Sequence, residues 1–263
     1  MKRVIGLIVM AAFLLCGIVA GAMFYRQYSD AKSSGDTFSE LQELVKQPEE
    51  TSASTEMNET TCNTTEGVEV PQETIIFDKY RPLFEQNNDL VGWIRIDGTG
   101  IDYPVMQTPS NPDYYLKHSF EKTWSDYGVP YVDAGCTVGV SNNLIIYGHN
   151  MKNGTMFHDL VKYTDKGFYE DHPVIVFDTV DLPGQYQVIA AFRYNTNKEI
   201  FVYNEHTDMA EAEFTEYVEN CRARSIYDTG VTAEHGDQLI TLSTCEYTYT
   251  NGRFVVVAKK IVE

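Results

Sequence analysis

The sequence predicts a mainly β domain, either a barrel or a sandwich, over residues 71–263 of a 263-residue chain. About eight segments of strand length in this region are rich in Val, Ile, Tyr and Phe, and Gly, Asn, Asp or Pro separate most of them. Long helical patterns are few, which favours an all-β architecture. Hydrophobic residues make up 43% of the chain, enough for a sizeable core, and this excludes a wholly disordered protein.

The domain is predicted to begin near Pro71 with a short helix over residues 77–87. Eight strands follow, and they are predicted over residues 91–96, 101–106, 129–132, 143–147, 174–177, 186–192, 239–242 and 254–258. Gly98 and Gly100 lie between the first two strands, where they predict a hairpin-type turn.

One helix is predicted to interrupt the strands, over residues 208–224. Asp208 and Glu211 have the spacing of an N-terminal cap. The apolar positions that recur with helical spacing are Phe214, Tyr217, Val218 and Cys221. These four residues share one face of the helix, so Cys221 is predicted to be buried rather than reactive.

Residues 1–28 are predicted to form a single-pass membrane anchor. The run 4–25 is 22 residues long and contains no charged residue. A helix of this length measures roughly 33 Å, which spans a bilayer core of about 30 Å. Lys2 and Arg3 precede the run, so the N-terminus is expected in the cytoplasm and the rest of the chain outside. The alternative is a cleaved signal peptide, because Ala-Gly-Ala at 20–22 has the form of a cleavage site.

Residues 29–70 are predicted to be an acidic, flexible spacer. Ser, Thr, Glu and Asn dominate this stretch, a composition typical of solvated segments. One short helix is predicted inside it, because Thr37 and Glu40 form a capping-box pattern and Phe38 and Leu41 begin a narrow apolar stripe. Cys62 is interpreted as an incidental thiol of the spacer.

The charge balance excludes nucleic acid as a partner. The chain has 20 Lys and Arg against 38 Asp and Glu, and its net charge of −18 repels phosphate backbones. Neither of the common Gly-rich nucleotide-binding motifs occurs, and five cysteines are too few for a disulfide scaffold. His149, His158 and His172 have spacings that match no familiar metal site. No metal or other cofactor is therefore predicted.

Two predicted buried strands end in residues that can carry covalent chemistry. One leads into His149 and another into Cys245, and Arg253 follows eight residues later in the next strand. A thiol just past a rigid strand is fixed in direction, but with a pKa of about 8.5 it needs a cation or base nearby to react as a thiolate. His149 can exchange the protons, and Arg253 can stabilise a developing oxyanion.

Each of these residues alone also has an ordinary structural explanation. A single His after a strand is commonly a hydrogen-bonded loop residue, and a single Cys commonly packs as a small hydrophobe. Arg253 can form an ion pair with Glu246 or with another of the many carboxylates. A papain-like protease fits badly, because its His follows its Cys, whereas His149 precedes Cys245.

The local sequence around these residues is more specific than the residue types. Residues 241–245 read Thr-Leu-Ser-Thr-Cys and are followed by Asn-Gly-Arg at 251–253, while residues 147–151 read Tyr-Gly-His-Asn-Met. The first two segments resemble the active-site hairpin of the sortases, which are cysteine transpeptidases of bacterial cell walls. The third resembles the histidine motif of their class B branch, and segments 101–105 and 113–116 are also similar to class B.

The resemblance covers about residues 75–263 and implies a fold. This fold is an eight-stranded sortase-type β-barrel with N-terminal helices, an inserted helix before the cysteine strand and a groove on one face. It also implies that Cys245 is the nucleophile, His149 the acid and base, and Arg253 the residue that stabilises the oxyanion or positions the substrate. The positions that match groove residues of class B enzymes are Leu116, Tyr147, Ser243 and Glu246, and substrate contacts are expected there.

The resemblance implies a reaction and its partners as well. The thiolate attacks the Thr carbonyl of a C-terminal sorting motif, Asn-Pro-x-Thr or a related Pro-x-Thr sequence, in a secreted protein. An amine of a peptidoglycan precursor then resolves the thioacyl intermediate outside the cell membrane. Two alternatives remain from the sequence: a pilus-polymerising sortase with a pilin Lys as acceptor, and a non-catalytic surface adhesion or scaffold domain.

Overall fold

The computed structural model describes residues 2–46 and 76–262. Cys62 and residues 47–70 of the predicted spacer lie outside these ranges. The described residues form a long helix, α1 (Lys2–Lys46), and a closed β-barrel with short helices inserted between its strands.

The barrel has eight strands, as predicted. They are β1 (Leu90–Arg95), β2 (Asp102–Met106), β3 (Tyr131–Val132), β4 (Asn143–Tyr147), β5 (Val174–Thr179), β6 (Gln185–Asn195), β7 (Leu239–Glu246) and β8 (Gly252–Lys260). Neighbouring strands follow the order β1-β2-β3-β4-β7-β8-β6-β5, and β5 pairs with β1 to close the sheet. Closure excludes the sandwich, and each predicted strand overlaps one observed strand.

The strand order brings distant parts of the chain together. β4 pairs with β7 in parallel, so that Tyr147 at the end of β4 lies beside Ser243. β7 and β8 form an antiparallel hairpin in which Cys245 and Arg253 are direct partners. The ends of β4 and β7 and the start of β8 therefore lie at the same edge of the barrel.

One short helix, α2 (Arg81–Gln86), precedes β1, and another, α3 (Lys166–Asp171), connects β4 to β5. Three 3-10 helices also lie between strands, at Tyr114–Leu116, His158–Thr164 and Tyr203–Glu205. α2 is shorter than the helix predicted over residues 77–87, because it begins only after its N-cap residue Tyr80 and ends before the extended backbone of Asn87. The buried Asn87 amide instead donates to the Tyr115 hydroxyl at 2.8 Å.

The longest helix inserted in the barrel, α4 (Glu211–Arg224), lies on its outer face. The face that it buries contains Phe214, Tyr217, Val218 and Cys221, which confirms the predicted stripe. The predicted cap at Asp208 is wrong, because Ala210 is the N-cap residue and no side chain caps the helix. Glu211 is instead the first helical residue, where its negative charge interacts favourably with the positive end of the helix dipole.

Side chains of β7 and β8 alternate between the inside of the barrel and its outer face. Those that belong to the barrel core are Ile240, Leu242, Phe254 and Val256. Those that pack in a second cluster with α4 are Leu239, Val255 and Val257. By the same alternation, Cys245 and Arg253 point to the outer face.

The C-terminal part of α1 packs on the barrel. Phe38 and Leu41 are buried, and the Phe38 ring lies 5.0 Å from the ring of Tyr103 in β2. The predicted helix start at Thr37 is wrong, because α1 is continuous there and the Thr37 hydroxyl donates to the Glu121 carboxylate at 2.9 Å. Residues 29–46 of the predicted spacer are therefore helical.

The N-terminal part of α1 carries exposed apolar side chains. The large ones are Met10, Phe13, Leu14, Leu15, Ile18, Val19, Met23, Phe24, Tyr25 and Tyr28. Within residues 2–46 and 76–262, no helix meets the combined length and hydropathy expected of a membrane span.

Candidate active site

Cys245 and Arg253 face each other across the β7–β8 hairpin. They are partners in the antiparallel register, which sets their Cβ atoms about 5 Å apart on the same face of the sheet. Both side chains are half-buried and line one groove. The hairpin alone therefore places a guanidinium beside a thiol.

His149 reaches the same groove from β4. Tyr147 and Ser243 are level in the parallel β4–β7 pair, so two more residues along each strand bring His149 level with Cys245. Hydrogen bonds continue this alignment: the Gly148 N–H donates to the Ser243 carbonyl at 3.1 Å, and the Thr244 hydroxyl donates to the Gly148 carbonyl at 2.7 Å. A Cβ on Gly148 would lie 2.6 Å from the Phe157 ring, so this turn requires glycine.

The groove has a volume of about 410 Å³. Leu116 forms an apolar part of its wall and is 37% exposed. Tyr131 and Tyr147 form another part, and their hydroxyls donate to the carboxylates of Asp113 and Asp133 at 2.7 and 2.8 Å. Burial raises the pKa of both phenols, so they stay protonated and act as donors.

The proton positions on His149 follow from its partner. Its Nε2 lies 2.8 Å from the main-chain carbonyl of Leu116, which can only accept, so Nε2 carries a hydrogen. The neutral ring therefore presents Nδ1 as its proton-accepting nitrogen. Burial lowers the pKa of His149 and outweighs the opposing effect of the bond to Leu116, so the neutral form is favoured.

The carbonyl that holds His149 is itself closely packed. Gly128 has a φ of 59°, in the left-handed region, and a Cβ there would lie 2.8 Å from the Leu116 carbonyl oxygen and 2.4 Å from that of Tyr115. Val129 donates its N–H to the Tyr115 carbonyl at 2.9 Å. The segment that ends at Leu116 is therefore fixed against the residues that immediately precede β3.

Arg253 is not used in an ion pair within the described part of the chain. Its Nη1 donates to the Gly252 carbonyl at 3.0 Å, which leaves other N–H groups of the fork for a ligand. The predicted structural alternative, a pair with Glu246, is wrong, because the Glu246 carboxylate lies 3.6 Å from Arg193 instead. Arg253 points into the groove, whereas Glu246 lies on the opposite face of β7.

The four residues expected to contact substrate divide into two pairs. Leu116 and Tyr147 line the groove. Ser243 is 1% exposed, and its hydroxyl is hydrogen-bonded to the Tyr203 hydroxyl at 2.7 Å. Glu246 is 6% exposed and accepts hydrogen bonds from the N–H and hydroxyl of Thr248. Substrate contact at these four positions stays a prediction.

Sequence reasoning missed part of the groove. The residues concerned are Asp113, Tyr131, Asp133, Tyr203 and Asn204. Tyr203 and Asn204 come from the segment between β6 and α4, which has no periodic pattern, and the Asn204 amide donates to the Tyr147 hydroxyl at 3.0 Å. Only the packing of this segment against β4 and β7 brings them to the site, so no local signal could have identified them.

The other described cysteines have different surroundings. Cys136 and Cys221 are buried, and burial raises the pKa of each thiol to about 12, which keeps both protonated at neutral pH. Cys16 is exposed on α1, away from the barrel core. Among the residues that the structure describes, no cluster of three or more His, Cys, Asp or Glu could hold a metal ion.

Comparisons with known proteins show the family to which the chain belongs. The Sortase domain family model matches residues 94–261. Sortase B of Listeria monocytogenes serovar 1/2a is 36% identical over 189 residues, covering 71% of this chain and 75% of that protein. The structure of a Staphylococcus aureus sortase B–substrate complex matches with a TM-score of 0.71 and 28% identity, over 89% of this chain and 98% of that one.

A structure of sortase B complexed with triglycine also matches, with a TM-score of 0.65 and 32% identity over 72% of this chain and 88% of that one. His149, Cys245 and Arg253 all lie within the matched range of residues 94–261. The predicted resemblance and fold are thereby confirmed, and the alternative of a non-catalytic adhesion domain does not hold. The chain belongs to the sortase family and is a sortase B-type cysteine transpeptidase.

Proposed function

We propose that this transpeptidase joins secreted proteins to an amine of the cell-wall peptidoglycan, with Cys245 as its nucleophile. The observation that carries the proposal is the meeting of Cys245, His149 and Arg253 in one solvent-accessible groove. A thiol needs a proton acceptor and a stabilised oxyanion to open an amide bond, and the other two side chains can supply them.

In the first half-reaction, Cys245 gives its proton to Nδ1 of His149, and its Sγ attacks the Thr carbonyl of the sorting motif. The favoured neutral state of His149 suits it to accept this proton. The oxyanion forms beside the Arg253 guanidinium, which donates from a rigid, permanently charged fork. His149 then protonates the departing amine as the peptide C–N bond breaks, and a thioacyl-enzyme remains.

In the second half-reaction, the acceptor amine attacks the thioester carbonyl and loses a proton to His149. The C–S bond breaks, and Cys245 leaves and regains its proton. One amide bond has been exchanged for another, with no oxidant, metal or nucleotide required. The solved complex of a related sortase B with triglycine supports an acceptor with a free glycine amine.

The proposed substrate is a C-terminal sorting peptide with an Asn-Pro-x-Thr or related Pro-x-Thr motif. Leu116 offers it an apolar surface and Tyr147 an aromatic one, on the same groove wall as His149. Contact with Ser243 or Glu246 would first require their buried side chains to become accessible. The solved substrate complex of the Staphylococcus aureus relative supports substrate binding by a barrel of this fold.

The proposal also places the catalytic domain outside the cell, on an anchor formed by residues 1–28. The exposed apolar side chains between Met10 and Tyr28 support it, because lipid would cover them. The full chain is expected to sediment with membranes and to need detergent for release. A chain that lacks residues 1–28 should stay in the supernatant, and a full chain that does the same would contradict the anchor.

The central experiment mixes the detergent-solubilised full chain with a library of Pro-x-Thr peptides and two competing acceptors, triglycine and a Lys-containing peptide, and analyses the products by mass spectrometry. We expect cleavage after Thr and a new Thr–Gly amide. If no Pro-x-Thr peptide is cleaved, the proposed substrate class is wrong. If a Lys side chain is used in preference to triglycine, the acceptor is that of a pilus polymerase instead.

A further inference from the structure

Asn150 links the loop that carries His149 to the strand that carries Cys245. It is 8% exposed, and its Nδ2 donates to the main-chain carbonyl of Cys245 at 2.9 Å. Its Oδ1 lies 2.9 Å from Nδ1 of His158. Its main-chain carbonyl accepts from the Tyr247 hydroxyl at 2.8 Å. The residue that follows His149 is therefore bonded to β7 at Cys245 and also to the chain two residues beyond it.

The direction of the Asn150 amide is fixed by its partners. The Cys245 carbonyl can only accept, so the amide nitrogen faces Cys245 and Oδ1 faces His158. His158 must then carry a proton on Nδ1, which both the Nδ1–H tautomer and the charged ring provide. A flipped amide would set two acceptors against each other in a buried site. His158 therefore provides a second hydrogen bond that holds Asn150 in this orientation.

We propose that Asn150, oriented by His158, is a positioning residue that holds His149 at the distance from Cys245 that proton transfer needs. The proposal rests on the catalytic roles assigned above to Cys245 and His149. On one side of His149, the backbone of Gly148 is bonded to Ser243 and Thr244. On the other side, the Asn150 amide is bonded to Cys245. The histidine is held between two attachments to the same strand.

Loss of the second attachment would let His149 pivot about Gly148. A displacement of about 1 Å between reacting groups can cost about 100-fold in rate. Asn150 does not line the groove, whereas Leu116 and Tyr147 do. The loss should therefore appear in kcat, with little change in KM.

The test compares Asn150→Ala with Asn153→Ala in the full chain. Asn153 is an exposed residue of the same loop, and its amide donates to Tyr127 rather than to β7. We expect Asn150→Ala to lower kcat about 100-fold with KM changed less than about threefold, and Asn153→Ala to behave as wild type. The pH profile of Cys245 alkylation by iodoacetamide, followed by peptide mapping, should change only in Asn150→Ala, because it reports the imidazole beside the thiol.

A second pair of variants keeps the proposal testable if Asn150→Ala does not fold. His158→Gln retains an N–H donor for the Asn150 Oδ1, and His158→Ala does not. We expect the alanine variant to lose activity and the glutamine variant to retain most of it. A folded Asn150→Ala enzyme with wild-type kcat and alkylation profile overturns the proposal, as do equal kcat values for the two His158 variants. An active Cys245→Ala enzyme would instead overturn the proposed function.

Discussion

The outer face of the β7–β8 hairpin has two halves with opposite environments. Along the first half of β7, α4 covers the sheet, and the Tyr217 hydroxyl is bonded to Thr241 at 2.8 Å in the interior. Along the second half, α4 is absent, and Cys245 and Arg253 face the groove. The same two strands thus have a covered half, which packs under α4 as core, and an open half, which carries the candidate active site.

The difference shows how the fold separates rigidity from reactivity. The covered half fixes the direction of both strands through side chains that are fully buried, among them Phe214, Val255 and Val257. The open half inherits that direction but keeps its side chains accessible to a substrate. The two halves each contain a cysteine with different surroundings. Cys221 in the covered half is buried, which raises the pKa of its thiol to about 12. Cys245 in the open half is half-buried and shares the groove with Arg253 and His149.

The largest expected effect separates these two thiols. Cys245→Ala should lower the rate of sorting-peptide cleavage by at least about 10,000-fold, because no thioacyl intermediate can form. Cys221→Ala should retain nearly full activity, because its thiol is buried between α4 and the barrel and does not line the groove. Steady-state assays of both variants, with mass spectrometry for the thioacyl-enzyme, measure this. A loss of equal size in Cys221→Ala would end the distinction between the two halves.

The second effect belongs to the covered half and concerns stability. Phe214 is fully buried between α4 and the sheet, so Phe214→Ala should lower the free energy of unfolding by about 3–5 kcal/mol. The exposed Glu216 on the opposite face of α4 provides the control, and Glu216→Ala should be close to neutral. Denaturant unfolding measures both. If Phe214→Ala abolished catalysis in a protein still fully folded, the covered half would have a direct role in the chemistry.

The third effect returns to the open half. Arg253→Lys keeps the charge but loses the rigid fork, and we expect kcat/KM to fall about 100-fold. Arg193→Lys is the matched control, because Arg193 lies near the same hairpin but pairs with Glu246 on the other face of the sheet. It should retain wild-type activity. An active Arg253→Lys enzyme would show that charge alone suffices at this position.

Much of this architecture could be predicted from strand patterns and local motifs in the sequence. Short runs rich in Val, Ile, Tyr and Phe predicted all eight strands, and the helical stripe predicted that Cys221 is buried. The start of α4 was mispredicted, because Asp208 and Glu211 match a capping pattern but the chain turns into the helix only at Ala210. A side-chain cap depends on backbone angles that the residue types leave undetermined.

The surroundings of the site depended on contacts between distant segments. Glu246 is buried at the end of β7, although it carries a charge and directly follows Cys245. Its partner in register, Gly252, has no side chain, and this lets the carboxylate lie toward Arg193 on β6. Asn204 is hydrogen-bonded to Tyr147 of β4, and the preceding Tyr203 is hydrogen-bonded to Ser243 of the neighbouring β7. Such pairings are tertiary, and single-sequence patterns do not contain them.

The smallest expected effect is a shift in the pH profile of the open half. Burial and the charge of Lys117 lower the pKa of His149, whereas Asp126 raises it. Because neutral His149 must accept the Cys245 proton, kcat/KM should fall as the pH drops through this lowered pKa. Lys117→Gln removes a positive charge, raises the pKa of His149 and should move the acid limb to higher pH. Asp126→Asn should move it to lower pH.

The two side chains form an exposed ion pair with 3.1 Å between Lys117 Nζ and Asp126 Oδ1, which makes their variants a matched pair of opposite sign. Solvent and salt screen both charges, so the two limbs should converge at 1 M NaCl. Measurement of kcat/KM from pH 5 to 8 at low and high salt tests this. Limbs that move in the same direction would show that the variants act by rearranging Leu116, the neighbour of Lys117 that holds His149, rather than through charge.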